Sequence, residues 1–252
     1  MEGTYNFRAV PAFRVPGGAL RSARLYRSDA LHELTRDGRQ TLEGLGIALI
    51  VDLRDDEEAQ NASGPNGERS VSVRVPVFRG ADPAELIRGH GGFSLAAMYR
   101  SILRERGDAL ATAVGRIADA KRGAVLVHCT AGKDRTGLVI ALVLAALGVA
   151  EYDILRDYAE SQPRLEGEWA ERMLQATPLT PDITLSQARV LISRSDPDDL
   201  RHALEFVRTA FGSASEYLHA HGLSAEQSDR LRDRLLAPSP GLREPGGGLY
   251  RY

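Results

Sequence analysis

His128-Cys129-Thr130-Ala131-Gly132-Lys133-Asp134-Arg135-Thr136-Gly137 is the stretch whose reading decides the fold. Ala124 to Val127, just before it, is apolar and is set off upstream by Lys121-Arg122-Gly123. A longer apolar segment, Leu138 to Leu147, follows it. A short Val-rich run bounded by turn residues reads as a buried strand, and the longer run after a polar loop as a buried helix. Strand, tight loop and helix in that order set the loop at the carboxyl end of a strand, where α/β folds collect ligands.

The flanking chain repeats this alternation. Ile47 to Leu53 is continuously apolar except for Asp52, as in a parallel strand buried on both faces. Leu25 to Ser28 reads as a short strand, and Val71 to Phe78 as another, with Pro76 marking an edge or a bend. Thr35 caps an expected helix through about Leu45, stopped by Gly46. Helices are expected over Leu95–Glu105, Asp108–Ala120, Glu151–Ser161 and Ser215–His221, and from Asp196-Pro197 to about Gly212. Ser224 with Gln227 forms a capping box that opens a helix through Leu236. Pro163 to Thr180 reads as a short amphipathic helix carrying Trp169 and Met173; Leu185 to Ile192 fits either a strand or a helix. Pro11–Gly18, Asn61–Ser70 and Arg79–Ser94 read as loops. The fold class expected is α/β: a mainly parallel central sheet flanked by helices, with a C-terminal helical part. One domain is expected over residues 1–237, with 238–252, rich in Pro and Gly, as a flexible tail.

The 252 residues are 26% charged and 43% hydrophobic, enough for a sizeable core and against global disorder. A net charge of -2 marks neither a nucleic-acid binder nor a membrane-surface binder. Cys129 is the only cysteine, so no intrachain disulfide can form and no zinc site can rest on several thiolates. Met1 to Val10 lacks the charged and apolar regions of a secretory signal, and no apolar run nears the ~20 residues of a membrane span. A protein of the reducing cytoplasm without an integral membrane segment is the expectation.

The spacing of Cys129 and Arg135, with five residues between them and Thr136 following, is the Cys-x5-Arg-Thr signature of cysteine-dependent phosphatases. Each residue type suits phosphate-ester cleavage. A thiolate is the nucleophile, and a helix N-terminus with nearby cations favours it. The amides from Thr130 through Ala131, Gly132 and Lys133 to Arg135 can cradle phosphoryl oxygens as a helix N-terminus binds any anion. Gly132 permits a turn that a side chain would obstruct. Arg135 offers a planar fork for two phosphate oxygens. Thr136 can donate a hydrogen bond to the sulfur, and His128 can fix the turn. The chemistry needs no metal and no cofactor. A nucleotide-binding loop is excluded: it needs Ser or Thr after the lysine and a glycine five residues before Gly132, where Asp134 and Val127 stand.

The same loop resembles that of an atypical bacterial family of tyrosine, dual-specificity and phosphoinositide phosphatases, typified by mycobacterial protein tyrosine phosphatase B. Asn6-Phe7-Arg8, Leu25-Tyr26-Arg27-Ser28, Leu34-Thr35, Leu45-Gly46-Ile47, Asp52-Leu53-Arg54 with Glu57, Met98-Tyr99-Arg100, Asp157-Tyr158 and Gly222-Leu223-Ser224 are similar to its landmarks. The family usually continues Asn-Phe-Arg with Asp-Leu-Gly-Gly, and here Ala9-Val10-Pro11-Ala12 stands instead. The resemblance implies a fold like that of dual-specificity phosphatases and a helical lid, for which 163–192 is the candidate. It implies activity on phosphotyrosine, extending to phosphoserine, phosphothreonine and phosphoinositides.

A tyrosine leaving group needs a proton, and two aspartates compete to give it. The resemblance implies that role for Asp134, inside the loop. Asp82, before Pro83 in a Gly-rich stretch, is the alternative general acid. Lys133 either contacts a second phosphate or sits in solvent. Asp52 and Arg54 are expected to hold the loop from behind through ion pairs or hydrogen bonds. A phosphoprotein- or phosphoinositide-binding module with little turnover is the alternative to an enzyme, though intact Cys129 and Arg135 weigh against it. Thiol redox chemistry lacks a second cysteine to resolve a disulfide.

Overall fold

The computed structural model describes residues 1–62, 70–77, 94–176 and 184–238. Strands β1 (Arg8–Ala9), β4 (Leu25–Ser28), β5 (Ile47–Asp52), β6 (Val71–Arg74) and β7 (Ala124–His128) form one sheet in the order β1-β4-β7-β5-β6. β4, β7, β5 and β6 are mutually parallel, and only the edge strand β1 runs antiparallel. β7 is therefore central, with Ser28 and Asp52 in register on either side of His128.

Alternation along β7 explains why its sequence is apolar throughout. Val125 and Val127 enter one hydrophobic cluster, while Ala124 and Leu126 enter another on the opposite face. The smaller cluster includes Leu42 of α1 (Arg36–Gly44). The larger takes in the apolar faces of α3 (Leu95–Glu105), α4 (Gly107–Asp119), α10 (Pro197–Phe211), α11 (Ala214–Ala220) and α12 (Ala225–Leu235). Between β5 and β6 lies α2 (Asp56–Asn61). Directly after β7 comes α5 (Asp134–Ala146), buried nearly all round, as its unbroken apolar sequence requires. The rest of the helical part is α6 (Glu151–Ala159), α7 (Ser161–Leu165), α8 (Glu168–Ala176) and α9 (Leu185–Ser193).

The α/β class, the mainly parallel sheet and the helical C-terminal part are as the sequence implies. Thr35, Asp196 and Ser224 cap the helices expected of them. The helix expected over 163–180 instead divides at Gly167, whose φ of +81° suits glycine, into α7 and α8. The ambiguous Leu185–Ile192 is helical. A three-stranded antiparallel sheet of β2 (Arg14–Val15), β3 (Gly18–Leu20) and β8 (Leu236–Pro238) is additional. Its strands are too short for a periodic signal, and β8 lies where a tail is expected to begin. Among the described residues no helix is long and apolar enough to cross a membrane.

Candidate active site

The loop between β7 and α5 closes around Cys129 because three successive carbonyls are tied from outside. Ala30 N donates to Thr130 O at 3.0 Å, Asn6 Nδ2 to Ala131 O at 2.9 Å, and Arg27 Nη2 to Gly132 O at 2.9 Å. In a planar trans peptide the carbonyl and the following N–H point oppositely. The amides of Ala131, Gly132 and Lys133 therefore face the interior of the loop. Gly132 N–H lies 3.2 Å from Cys129 Sγ, in keeping with that direction. Lys133 O takes the next bond, from Gly137 N at 2.8 Å, and the helix begins.

Gly132 is required twice over. Its φ is +65°, and a Cβ there would stand 2.2 Å from Ser28 O. The outer hoop is itself braced. Asp29 accepts from the Tyr5 and Asn6 amides at 3.0 and 2.9 Å, and Arg27 pairs with Asp157 at 2.6 Å. Arg8 reaches Asp157 O at 2.8 Å and Ser161 Oγ at 3.0 Å. The landmarks at Asn6, Arg8, Arg27 and Asp157 thus converge on the back of one loop.

Arg135, at the first turn of α5, is 8% exposed and meets Glu58 of α2 through two hydrogen bonds, of 2.5 and 2.7 Å. Thr130 Oγ1 donates to the same carboxylate at 2.6 Å. Burial opposes the charge on Glu58, but these donors outweigh it and hold the carboxyl at about 2. Burial likewise opposes the Arg135 cation, and Glu58 with Cys129 reverses this, leaving it above its ordinary value. Glu58 is the principal site residue missed in the sequence. It is the fourth of four consecutive acids opening a helix, a pattern helix N-termini show without any site. The signal that could have found it is the Asp55–Glu58 capping box just past the end of β5.

Asp134 opens α5 with its side chain 19% exposed. Its Oδ1 accepts the Tyr99 hydroxyl at 2.5 Å, and Tyr99 in turn meets the Tyr158 hydroxyl at 2.5 Å. Tyr99, of the Met98-Tyr99-Arg100 landmark, belongs to the site through this bond. Lys133 is fully buried, its Nζ 3.6 Å from Asp134 Oδ1. Of the two readings of Lys133, the solvent-exposed one is therefore not what the structure shows. Burial pushes its pKa down, and Asp134 opposes the shift.

Behind the loop, Asp52 takes Arg54 Nε at 2.9 Å and Nη2 at 2.8 Å, and lies 3.7 Å from His128 Nε2. Burial opposes the Asp52 charge, yet Arg54 and His128 hold the carboxyl below its usual range. His128 Nδ1 is 3.3 Å from Cys129 O, and burial drives the ring down to about 4, so it is neutral at pH 7. Thr136 Oγ1 is buried with no hydrogen-bond partner among the described residues. Asp82 lies outside the described residues, as do 177–183 of the lid candidate and 239–252 of the tail. Within the lid candidate, Arg172 pairs with Glu33 and lies 3.3 Å from the Tyr5 hydroxyl.

The arrangement combines a thiol, an inward row of amides, a fixed guanidinium and an adjoining carboxyl. The chain is 32% identical over 277 residues to the triple specificity protein phosphatase PtpB of Mycobacterium tuberculosis, covering 94% of this chain and 98% of that protein. It is 31% identical over 222 residues to a tyrosine-protein phosphatase of Nostoc commune, covering 83% and 73% respectively. Crystallised TpbA of P. aeruginosa is similar at a TM-score of 0.38 and 18% identity, covering 85% of this chain and 98% of that one. The sequence model of the tyrosine phosphatase family matches residues 1–237, and the chain belongs to that family.

Proposed function

We propose that the chain, through a single catalytic domain over 1–237, hydrolyses phosphate monoesters of protein tyrosine, of serine and threonine, and of phosphoinositides. The observation that carries this is the outward tethering of the Thr130, Ala131 and Gly132 carbonyls, which turns three amides toward the space above Cys129. PtpB, alike over nearly its whole length, is named for triple specificity, which supports the substrate range.

In the first step the Cys129 thiolate attacks phosphorus in line, forming S–P as the ester P–O bond breaks. The inward amides and Arg135 hold the equatorial oxygens and stabilise the charge gathering there. Asp134 gives its proton to the leaving oxygen. Tyr99 fixes one carboxyl oxygen of Asp134, leaving the other to carry that proton. In the second step the Asp134 carboxylate takes a proton from water, which attacks phosphorus. The S–P bond breaks, inorganic phosphate leaves and the thiolate returns. Glu58 holds the Arg135 fork for both steps. His128, Asp52 and Arg54 support the strand end behind Cys129. The sole cysteine must stay reduced to work, which favours a reducing, cytoplasmic compartment.

The test is p-nitrophenyl phosphate turnover with a chelator present, before and after orthovanadate, for wild type and Cys129→Ser. Vanadate-sensitive turnover lost in the variant is expected. Equal turnover in the variant overturns the mechanism. A panel of phosphotyrosine, phosphoserine and phosphothreonine peptides and phosphoinositides ranks the substrates.

A further inference from the structure

A groove of about 730 Å³ opens at the amino ends of β4 and β7, the sheet edge away from Cys129. Its walls carry Arg21, Arg24, Lys121, Arg122, Arg230 and Arg234 against only two carboxylates, Asp119 and Asp233. Arg230 takes up Asp119, donating Nε at 2.9 Å and Nη2 at 2.7 Å to one oxygen, and Gln227 binds the other at 2.8 Å. Among the described residues, Arg21, Arg24, Lys121 and Arg122 form no ion pair. The chain carries -2 in all, so the groove concentrates +4 while the remainder carries -6.

Arg234 is built into the wall. It donates to the carbonyls of Ala120 and Gly123, and its Nε is buried with no hydrogen-bond partner among the described residues. Burial and the neighbouring Arg24 charge both press its pKa down. Cations gathered in a concavity focus their field and draw anions. These come from three separate segments, so one phosphate cannot meet them all, whereas arginine forks suit several phosphates at once. An extended polyanion would also meet the negative remainder of the surface.

We propose that this groove binds a small polyanion bearing two or more phosphate groups, free or as a lipid headgroup. Five strand residues at ~3.3 Å each separate it from Cys129 by roughly 17 Å, so one small ligand cannot occupy both places.

The test is isothermal titration of the full chain with tripolyphosphate at ~150 mM salt, with orthovanadate filling the catalytic loop. Binding is expected to survive vanadate and to weaken about tenfold or more in Arg24→Gln/Lys121→Gln/Arg122→Gln. That variant should turn over p-nitrophenyl phosphate as wild type does. Lys121→Glu, a single exposed change, repeats the test should the triple variant melt early. Vesicles containing phosphatidylinositol bisphosphate identify the source: retention competed by tripolyphosphate points to a headgroup, and soluble binding without retention to a free ligand. Binding lost with vanadate, binding unaltered in both variants, or tighter binding of duplex DNA overturns the proposal.

Discussion

Arg135 and Glu58, 77 positions apart in sequence, face each other through two parallel hydrogen bonds of 2.5 and 2.7 Å. A guanidinium held in this way has one orientation, and its remaining donors are set before substrate arrives. Glu58→Gln keeps the shape and loses the charge. We expect kcat/KM to fall about 10²-fold, the scale for misplacing a binding group by about 1 Å. Orthovanadate affinity should fall with it, because vanadate needs the same fork. Unchanged vanadate affinity in Glu58→Gln would show that Arg135 is positioned without its partner.

Buried His128 and half-buried Glu58 give stability different pH windows. His128 has its folded pKa depressed to about 4, below the 6.5 of an unperturbed ring. The unfolded chain therefore binds more protons between those values. The contribution is full above pH 6.5 and is lost as pH falls through about 4, roughly 3 kcal/mol in all. Glu58 is depressed from 4.5 to about 2, so its contribution is full above pH 4.5 and fades as pH falls through about 2. Melting temperatures of wild type, His128→Gln and Glu58→Gln across pH 2–8 separate the two. His128→Gln should flatten the profile between pH 4 and 6.5 and leave the lower limb. A wild-type slope retained there assigns the titration to another group.

How far the sequence disclosed this site depends on how local each interaction is. β7, the loop and α5 were legible because burial writes itself into Ala124–Val127 and Leu138–Leu147 as unbroken apolar runs. Asp52 at the end of β5 was legible for the same reason, since parallel register sets it beside His128. Glu58, Tyr99 and the Asn6–Arg27 hoop were not, because their roles rest on contacts made across 35 to 125 residues. Lys133 shows the limit most plainly. Its place beside Gly132 left a second phosphate and solvent both open, and only the fold sets its buried ammonium 3.6 Å from Asp134 Oδ1.

Gly132→Ala tests the loop's closure. The alanine must adopt φ near +65° and place a methyl 2.2 Å from Ser28 O, 2.3 Å from Ser28 C and 2.5 Å from Asp29 N. All three are backbone atoms of the hoop, so no side chain can swing away. Left-handed strain and the clash together should cost about 2–5 kcal/mol by urea denaturation. Residual turnover in the folded fraction should drop as well, since the Ala131 and Lys133 amides must shift. A stability loss under 1 kcal/mol with normal turnover would mean that the hoop yields easily.

The acid is tested by leaving group. Asp134 adjoins the loop and is fixed by Tyr99, whereas Asp82 lies in a different part of the sequence. A group that protonates the leaving oxygen matters most when that oxygen is basic. Asp134→Asn should therefore cost about 10²–10⁴ in kcat/KM on phenyl phosphate and much less on p-nitrophenyl phosphate, whose phenolate leaves readily. Tyr99→Phe removes the donor that aims the carboxyl and leaves the Tyr158 hydroxyl without that partner. It should cost about 1–2 kcal/mol of stability and lower kcat on phenyl phosphate about tenfold. It should also displace the basic limb of the pH–rate profile, which loss of packing alone would not do. If Asp82→Asn alone shows the leaving-group dependence, with Asp134→Asn equally slow on both esters, Asp134 serves the loop's electrostatics and Asp82 is the proton donor.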